Sequence, residues 1–148
     1  MSIIKIMCGL PRSGKSTWIE RNRDNEVVIS ADELRYVVYN QRFWADGEKL
    51  MWGIRDVMLK YFLNQGVNII IDETNTTKWQ RKPIIELAKK AGYVIIGYLL
   101  DYAMHECIER TGEDKELLTP VIERMHEQFE PPTVEEGFDK IHVIGRKT

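Results

Sequence analysis

Eight consecutive residues near the N-terminus carry the strongest chemistry in this sequence. Gly9-Leu10-Pro11-Arg12-Ser13-Gly14-Lys15-Ser16 fits the pattern G-x-x-x-x-G-K-[ST], and Thr17 follows it. An apolar run, Ile3 to Cys8, precedes the motif and a helical pattern from Lys15 to about Arg23 follows it, which is the context the motif requires. Glycines at both ends let the backbone turn so that successive N–H groups point inward onto phosphate oxygens. A helix starting near Lys15 aims its positive end at the same place. Gly9, Pro11, Arg12, Ser13, Gly14, Lys15, Ser16 and Thr17 are therefore the candidate nucleotide-binding residues, with Lys15 on the β- and γ-phosphates and Ser16 offering a hydroxyl to Mg²⁺. Asp72 ends a later apolar strand, Val67 to Asp72, and is the candidate acid beside that metal.

A second constellation supplies acceptor chemistry. Asp32 and Arg35 follow the strand Val27 to Ser30 and lie three apart, on one face of a helix. A carboxylate there can take the proton of an attacking hydroxyl, and an Arg beside it can hold an acceptor phosphate bidentately. Ser30 and Glu33 form an S-x-x-E capping box that starts this helix near Ala31. Arg81, on a basic helix with Lys78, Lys82, Lys89 and Lys90, is placed near the Asp72 end and reads as a further acceptor contact. Phe43 and Trp44 stand in a polar stretch, where they either stack on an acceptor base or cap the core under a loop.

These residues need a scaffold, and the pattern provides one. Strands at Ile3–Cys8, Val27–Ser30, 67–72, 93–100 and 140–144 alternate with helices from Ala31, over Glu48–Asn64, Lys78–Lys90, 103–110 and 119–129. Residues 39–47 and 111–118 read as irregular chain. Alternation of this kind predicts one α/β domain, a P-loop NTPase-type parallel sheet flanked by helices, with ligands beyond the carboxyl ends of the strands.

Composition narrows the function classes. The chain has 148 residues, 43% hydrophobic and 30% charged, with a net charge of −2. That balance fits a folded globular domain and argues against a strongly basic nucleic-acid platform. Two cysteines, Cys8 and Cys107, make no disulfide framework, so a reducing, cytoplasmic setting is expected. No apolar run reaches the roughly 20 residues that span a bilayer, and the N-terminal strand runs straight into the motif, which speaks against a cleaved leader. No N-K-x-D guanine-reading motif follows the fourth strand, and the length is short for a motor ATPase with an accessory domain. No protein partner and no membrane are implied.

The sequence resembles the kinase domain of polynucleotide 5′-kinases, both the phage type and the module of the animal repair enzyme. The resemblance rests on GLPRSGKST (Gly9–Thr17), ISADELR (Ile29–Arg35), IDETNTTKWQRKPIIELAKKAG (Ile71–Gly92) and MHEQFEPPTVEEGFDKIHVI (Met125–Ile144), in order along nearly the whole chain. It implies a kinase-like fold with a helical lid at about 110–120. It further implies ATP and Mg²⁺ as cofactors, Asp32 as general base for a 5′-hydroxyl, and Arg35 on an acceptor phosphate. Thr74 and Asn75 fall on the family's acceptor-side T-N pair, and Arg110 on the first lid arginine. The lid segment TGEDKELLT, residues 111–119, is acidic and lacks a second arginine in the phage spacing, so Lys115, Arg124 and Arg12 are the candidates to replace it. Related P-loop kinases phosphorylate nucleosides, nucleotides, modified bases, sugars or tRNA-linked serine. A small hydroxyl acceptor is therefore the alternative to a nucleic-acid 5′ end, and a nucleotide-binding regulator is a third reading.

Overall fold

The computed structural model describes residues 1–145. Five parallel strands form one sheet in the order β2-β3-β1-β4-β5: β1 (Ile3–Cys8), β2 (Val27–Ser30), β3 (Ile69–Asp72), β4 (Val94–Asp101) and β5 (Lys140–Gly145). The helices are α1 (Lys15–Asn22), α2 (Ala31–Tyr39), α3 (Ala45–Gln65), α4 (Lys78–Lys90), α5 (Met104–Glu109) and α6 (Lys115–Gln128). The expected parallel α/β architecture is the one observed.

The central strands are apolar because they are covered on both faces. Ile4, Ile6, Ile69, Ile71 and Ile95 pack on one side under Leu59, Ile84, Ile85 and Phe138. Met7, Ile70 and Leu100 pack on the other with Ile19. A smaller cluster, Leu10, Cys107 and Ile122, seats α5 and α6 against the motif loop. Both cysteines are free and buried, and desolvation pushes the Cys8 thiol up to about 12. Among the described residues no helix is long and apolar enough to cross a membrane.

Two stretches expected as irregular are partly helical. Residues 39–47 shrink to a link of 40–44, because α3 begins at Ala45 with Asp46 and Glu48 in its first turn, where the helix dipole favours acids. Gly47 makes this start possible: a Cβ there would stand 2.4 Å from the Tyr39 ring and 2.8 Å from that of Trp44. In the lid, a short 3-10 turn at Gly112–Asp114 runs directly into α6 at Lys115, four residues before the expected start. The capping box expected at α2 is half formed, with the Ser30 hydroxyl accepting from the Glu33 N–H at 3.3 Å.

Candidate active site

Strand order decides the site. β3 lies beside β1, and β2 beside β3, with Ser30 in register with Asp72. The motif loop after β1, Asp72 at the end of β3 and Asp32 two residues past β2 therefore share one edge, as expected for a sheet of this type.

The loop is held by backbone. The Gly9 N–H donates to the Thr74 carbonyl at 2.9 Å and the Ser13 N–H to the Leu10 carbonyl at 3.1 Å. Gly14 caps α1 at φ +95°, a conformation that disfavours a side chain. Arg12 adopts φ +65° without being glycine, a costly backbone geometry of the kind found where a loop is over-determined by its surroundings. Lys15 is buried, and its ammonium donates to the Gly9 and Leu10 carbonyls at 3.0 and 2.8 Å. Desolvation lowers its pKa, against the pull of the Asp72 and Asp32 charges.

The Ser16 hydroxyl donates to Asp72 Oδ2 at 3.0 Å. Burial raises the Asp72 pKa against the Lys15 charge. A hydroxyl and a carboxylate oxygen this close, at the mouth of a phosphate loop, form the hard oxygen donor pair that suits Mg²⁺. Ser16 and Asp72 thus fit that ion.

At the same edge of the sheet Asp32 is exposed, with 86% of its side chain open to solvent. Arg35 Nη1 donates to Asp32 at 2.8 Å. The rest of that guanidinium is engaged: Nε and Nη2 donate to Glu48 at 3.0 and 2.9 Å, and the Tyr39 hydroxyl donates to the same carboxylate. Burial would depress the Arg35 pKa, but the Glu48 bonds hold it above its ordinary value. Two cations lie over the Trp52 ring, Arg35 5.6 Å and Arg55 5.4 Å from its centre. Arg55 in turn forks onto buried Glu73 at 2.8 and 2.6 Å, next to Asp72 in sequence. Glu48, Trp52, Arg55 and Glu73 were not singled out by sequence reasoning, because nothing in spacing joins α3 to residues 35 and 73.

Two expected acceptor contacts are corrected. Arg81 is fully buried, its Nε and Nη2 on Glu136 at 2.7 and 3.0 Å and its Nη1 on the Asn75 carbonyl at 2.7 Å. It ties α4 to the segment before β5. The Asn75 amide is also buried, donating to the Met7 carbonyl at 3.0 Å. Thr74 meets the motif loop through its carbonyl.

In the lid, Arg110 lies over the Tyr102 ring at 4.8 Å and donates to the Arg12 carbonyl at 3.3 Å. Its Nη1 stands 3.7 Å from where a Cβ on Gly14 would be. Arg12 and Arg42 both donate to Asp114 of the lid, at 3.0 and 2.7 Å. Neither Arg42 nor Asp114 was expected at the site.

Sheet, phosphate loop, serine and acid define a P-loop nucleotide-binding α/β domain. The family model for an AAA domain (AAA_33) matches residues 4–132, and the chain belongs to that family. It is 24% identical over 145 residues to the L-seryl-tRNA(Sec) kinase of Methanococcus maripaludis, which covers 90% of this chain but 55% of the relative. The chain therefore spans little more than half of that relative's length. Its fold is similar to a chain in the structure of the Pnkp1/Rnl/Hen1 RNA repair complex, at 20% identity and TM-score 0.67, covering 87% of this chain and 46% of that one. It is also similar to the APS kinase CysC of Mycobacterium tuberculosis, at 14% identity and TM-score 0.65, covering 99% and 90%.

Proposed function

We propose that this chain is an ATP-dependent phosphotransferase that moves the γ-phosphate to a hydroxyl acceptor, the leading acceptor being the 5′-hydroxyl of a polynucleotide. The observation that carries the reading is the exposed Asp32 carboxylate at the edge shared with Lys15 and Asp72, set there by the Ser30–Asp72 register. An acceptor hydroxyl bound at Asp32 faces the phosphate loop.

Asp32, steadied by Arg35, orients that hydroxyl and takes its proton late in a loose transition state. Lys15 leaves the loop carbonyls for the donor phosphates, and Arg110 joins it against the charge on the transferring group. Ser16 and Asp72 would hold Mg²⁺, which supplies further charge neutralisation when bound. Similarity to an L-seryl-tRNA(Sec) kinase and to a chain of an RNA repair complex supports a nucleic-acid-linked hydroxyl. Exposed Phe43 and half-exposed Trp44 offer stacking surface beside the acceptor wall.

A small hydroxyl acceptor is the second reading. The engagement of Arg35 by Glu48 favours it, since the cation expected to hold an acceptor phosphate already has a carboxylate partner. The test is transfer of labelled γ-phosphate from ATP with Mg²⁺ to a 5′-hydroxyl oligonucleotide, a nucleoside 3′-monophosphate and a free nucleoside. Asp32→Ala is run in parallel. Label on the oligonucleotide, lost in the variant while ATP binding persists, is the expected result. Label on the nucleoside alone selects the second reading. ATP hydrolysis indifferent to every acceptor and to loss of Asp32 overturns both, in favour of a regulator.

A further inference from the structure

Arg12 and Arg42 come from different segments, the phosphate loop and the 40–44 link between α2 and α3. Both guanidiniums end on one oxygen, Oδ2 of Asp114, on the lid. Two cations on one carboxylate leave a local charge of plus one. The side chains are between 33% and 41% exposed, so water and solutes reach them. A pair of guanidiniums converging on a single oxygen is also the geometry with which arginines bridge a phosphate oxygen. Arg12 reaches this point from a left-handed backbone conformation, so the loop geometry that shapes the phosphate site also directs its side chain toward the lid. Phe43, adjacent to Arg42, is exposed.

We infer that Arg12 and Arg42 form an anion subsite where the phosphate loop meets the lid, in which Asp114 stands where a substrate phosphate oxygen binds. The subsite rests on the phosphotransfer reading only for which substrate brings the phosphate. Arg42 then supplies, from the α2–α3 link, the second cation that the acidic lid lacks. Asp114 competes with the incoming anion, so an arriving phosphate displaces it and frees the lid turn at Gly112–Asp114. The bearer of the phosphate is either the donor nucleotide or a phosphorylated acceptor, and the experiment separates them.

Binding is measured by titration calorimetry on the full chain and on Arg42→Gln and Asp114→Asn. The probes are the non-hydrolysable ATP analogue AMPPNP with Mg²⁺, and then adenosine 3′-monophosphate and adenosine, each with AMPPNP present. An anion subsite makes the two variants move in opposite directions. Arg42→Gln weakens the phosphate-bearing probe about tenfold, the loss of one charge-assisted contact. Asp114→Asn tightens the same probe several-fold, because the competing charge is gone. Opposite shifts on AMPPNP assign the phosphate to the donor. Opposite shifts on adenosine 3′-monophosphate, with adenosine unchanged, assign it to the acceptor. A structural strap moves both variants the same way, and that result, or no change on either phosphate probe, overturns the subsite. Thermal melts of both variants identify any loss of folded protein. Failure of the kinase reading itself is separate: it leaves AMPPNP binding intact while no acceptor is phosphorylated in the transfer assay.

Discussion

The floor and the wall of the cleft are built on different principles. The floor is the phosphate loop with Asp72: backbone N–H groups, tight turns and one buried lysine, fixed by adjacent parallel strands. The wall is α2, the 40–44 link, α3 and the lid, held by ion pairs: Asp32–Arg35 within α2, Arg35–Glu48 from α2 to α3, Arg55–Glu73 from α3 to the end of β3, and Arg42 with the floor's Arg12 on Asp114. A backbone-built floor suits a ligand common to many proteins, the phosphate tail of a nucleotide. A wall built of side-chain pairs can be altered one residue at a time, which suits the part that meets the acceptor in the proposed function.

The contrast is broken most directly at the floor. Lys15→Ala is expected to lower γ-phosphate transfer by about a thousandfold, the scale of removing a preorganised charge from a transition state. A variant within tenfold of the parent would show that the floor does not carry the chemistry. Arg81→Ala tests the claim that one sequence-predicted acceptor contact is a structural tie. Removing one partner of a buried pair is expected to cost about 3 kcal/mol in urea unfolding, with the KM for acceptor unchanged in the folded fraction. A variant of normal stability but weakened acceptor binding would return Arg81 to the wall.

A smaller effect follows from the partner of Arg81. Burial alone would raise the Glu136 pKa, but the Arg81 bonds outweigh it and hold the carboxyl below its ordinary 4.5. A lowered folded pKa contributes stability above the ordinary value, which is lost as pH falls through 4.5 toward the folded value. Unfolding midpoints between pH 6 and pH 3 are therefore expected to fall less steeply in Glu136→Gln than in the parent. An unchanged slope would remove Glu136 from the acid response. The smallest effect is expected at Lys82, exposed on α4 with Glu86 4.0 Å away. Lys82→Ala is expected to change stability by less than about 0.5 kcal/mol, and acceptor binding not at all. A loss of oligonucleotide affinity there would extend the wall along α4.

How much was legible follows the same division. Lys15, Ser16, Asp72 and Asp32 could be placed from sequence because each sits within a few residues of a strand end, and parallel strands deliver their ends to one edge. Arg81 was misjudged because helix position says which residues share a face but not which face is covered. Its burial under the Glu136 segment was invisible. The polarity of Thr111 to Leu118 alone read as irregular chain, although the resemblance implied a helical lid there; Asp114 leads straight into α6 at Lys115, whose apolar side packs through Ile122 on Leu10 and Cys107.

By itself the sequence determined the sheet, the phosphate loop and the carboxylates at its edge, because local hydrophobic periodicity and turn chemistry act over a few residues. Tertiary structure alone decided that Arg35 answers to Glu48, that Arg81 is a tie, and that Asp114 gathers Arg12 from the floor and Arg42 from the wall. Those pairings depend on long side chains meeting across 13, 55, 102 and 72 residues of chain, where only the packing of helices on the sheet sets which charge finds which.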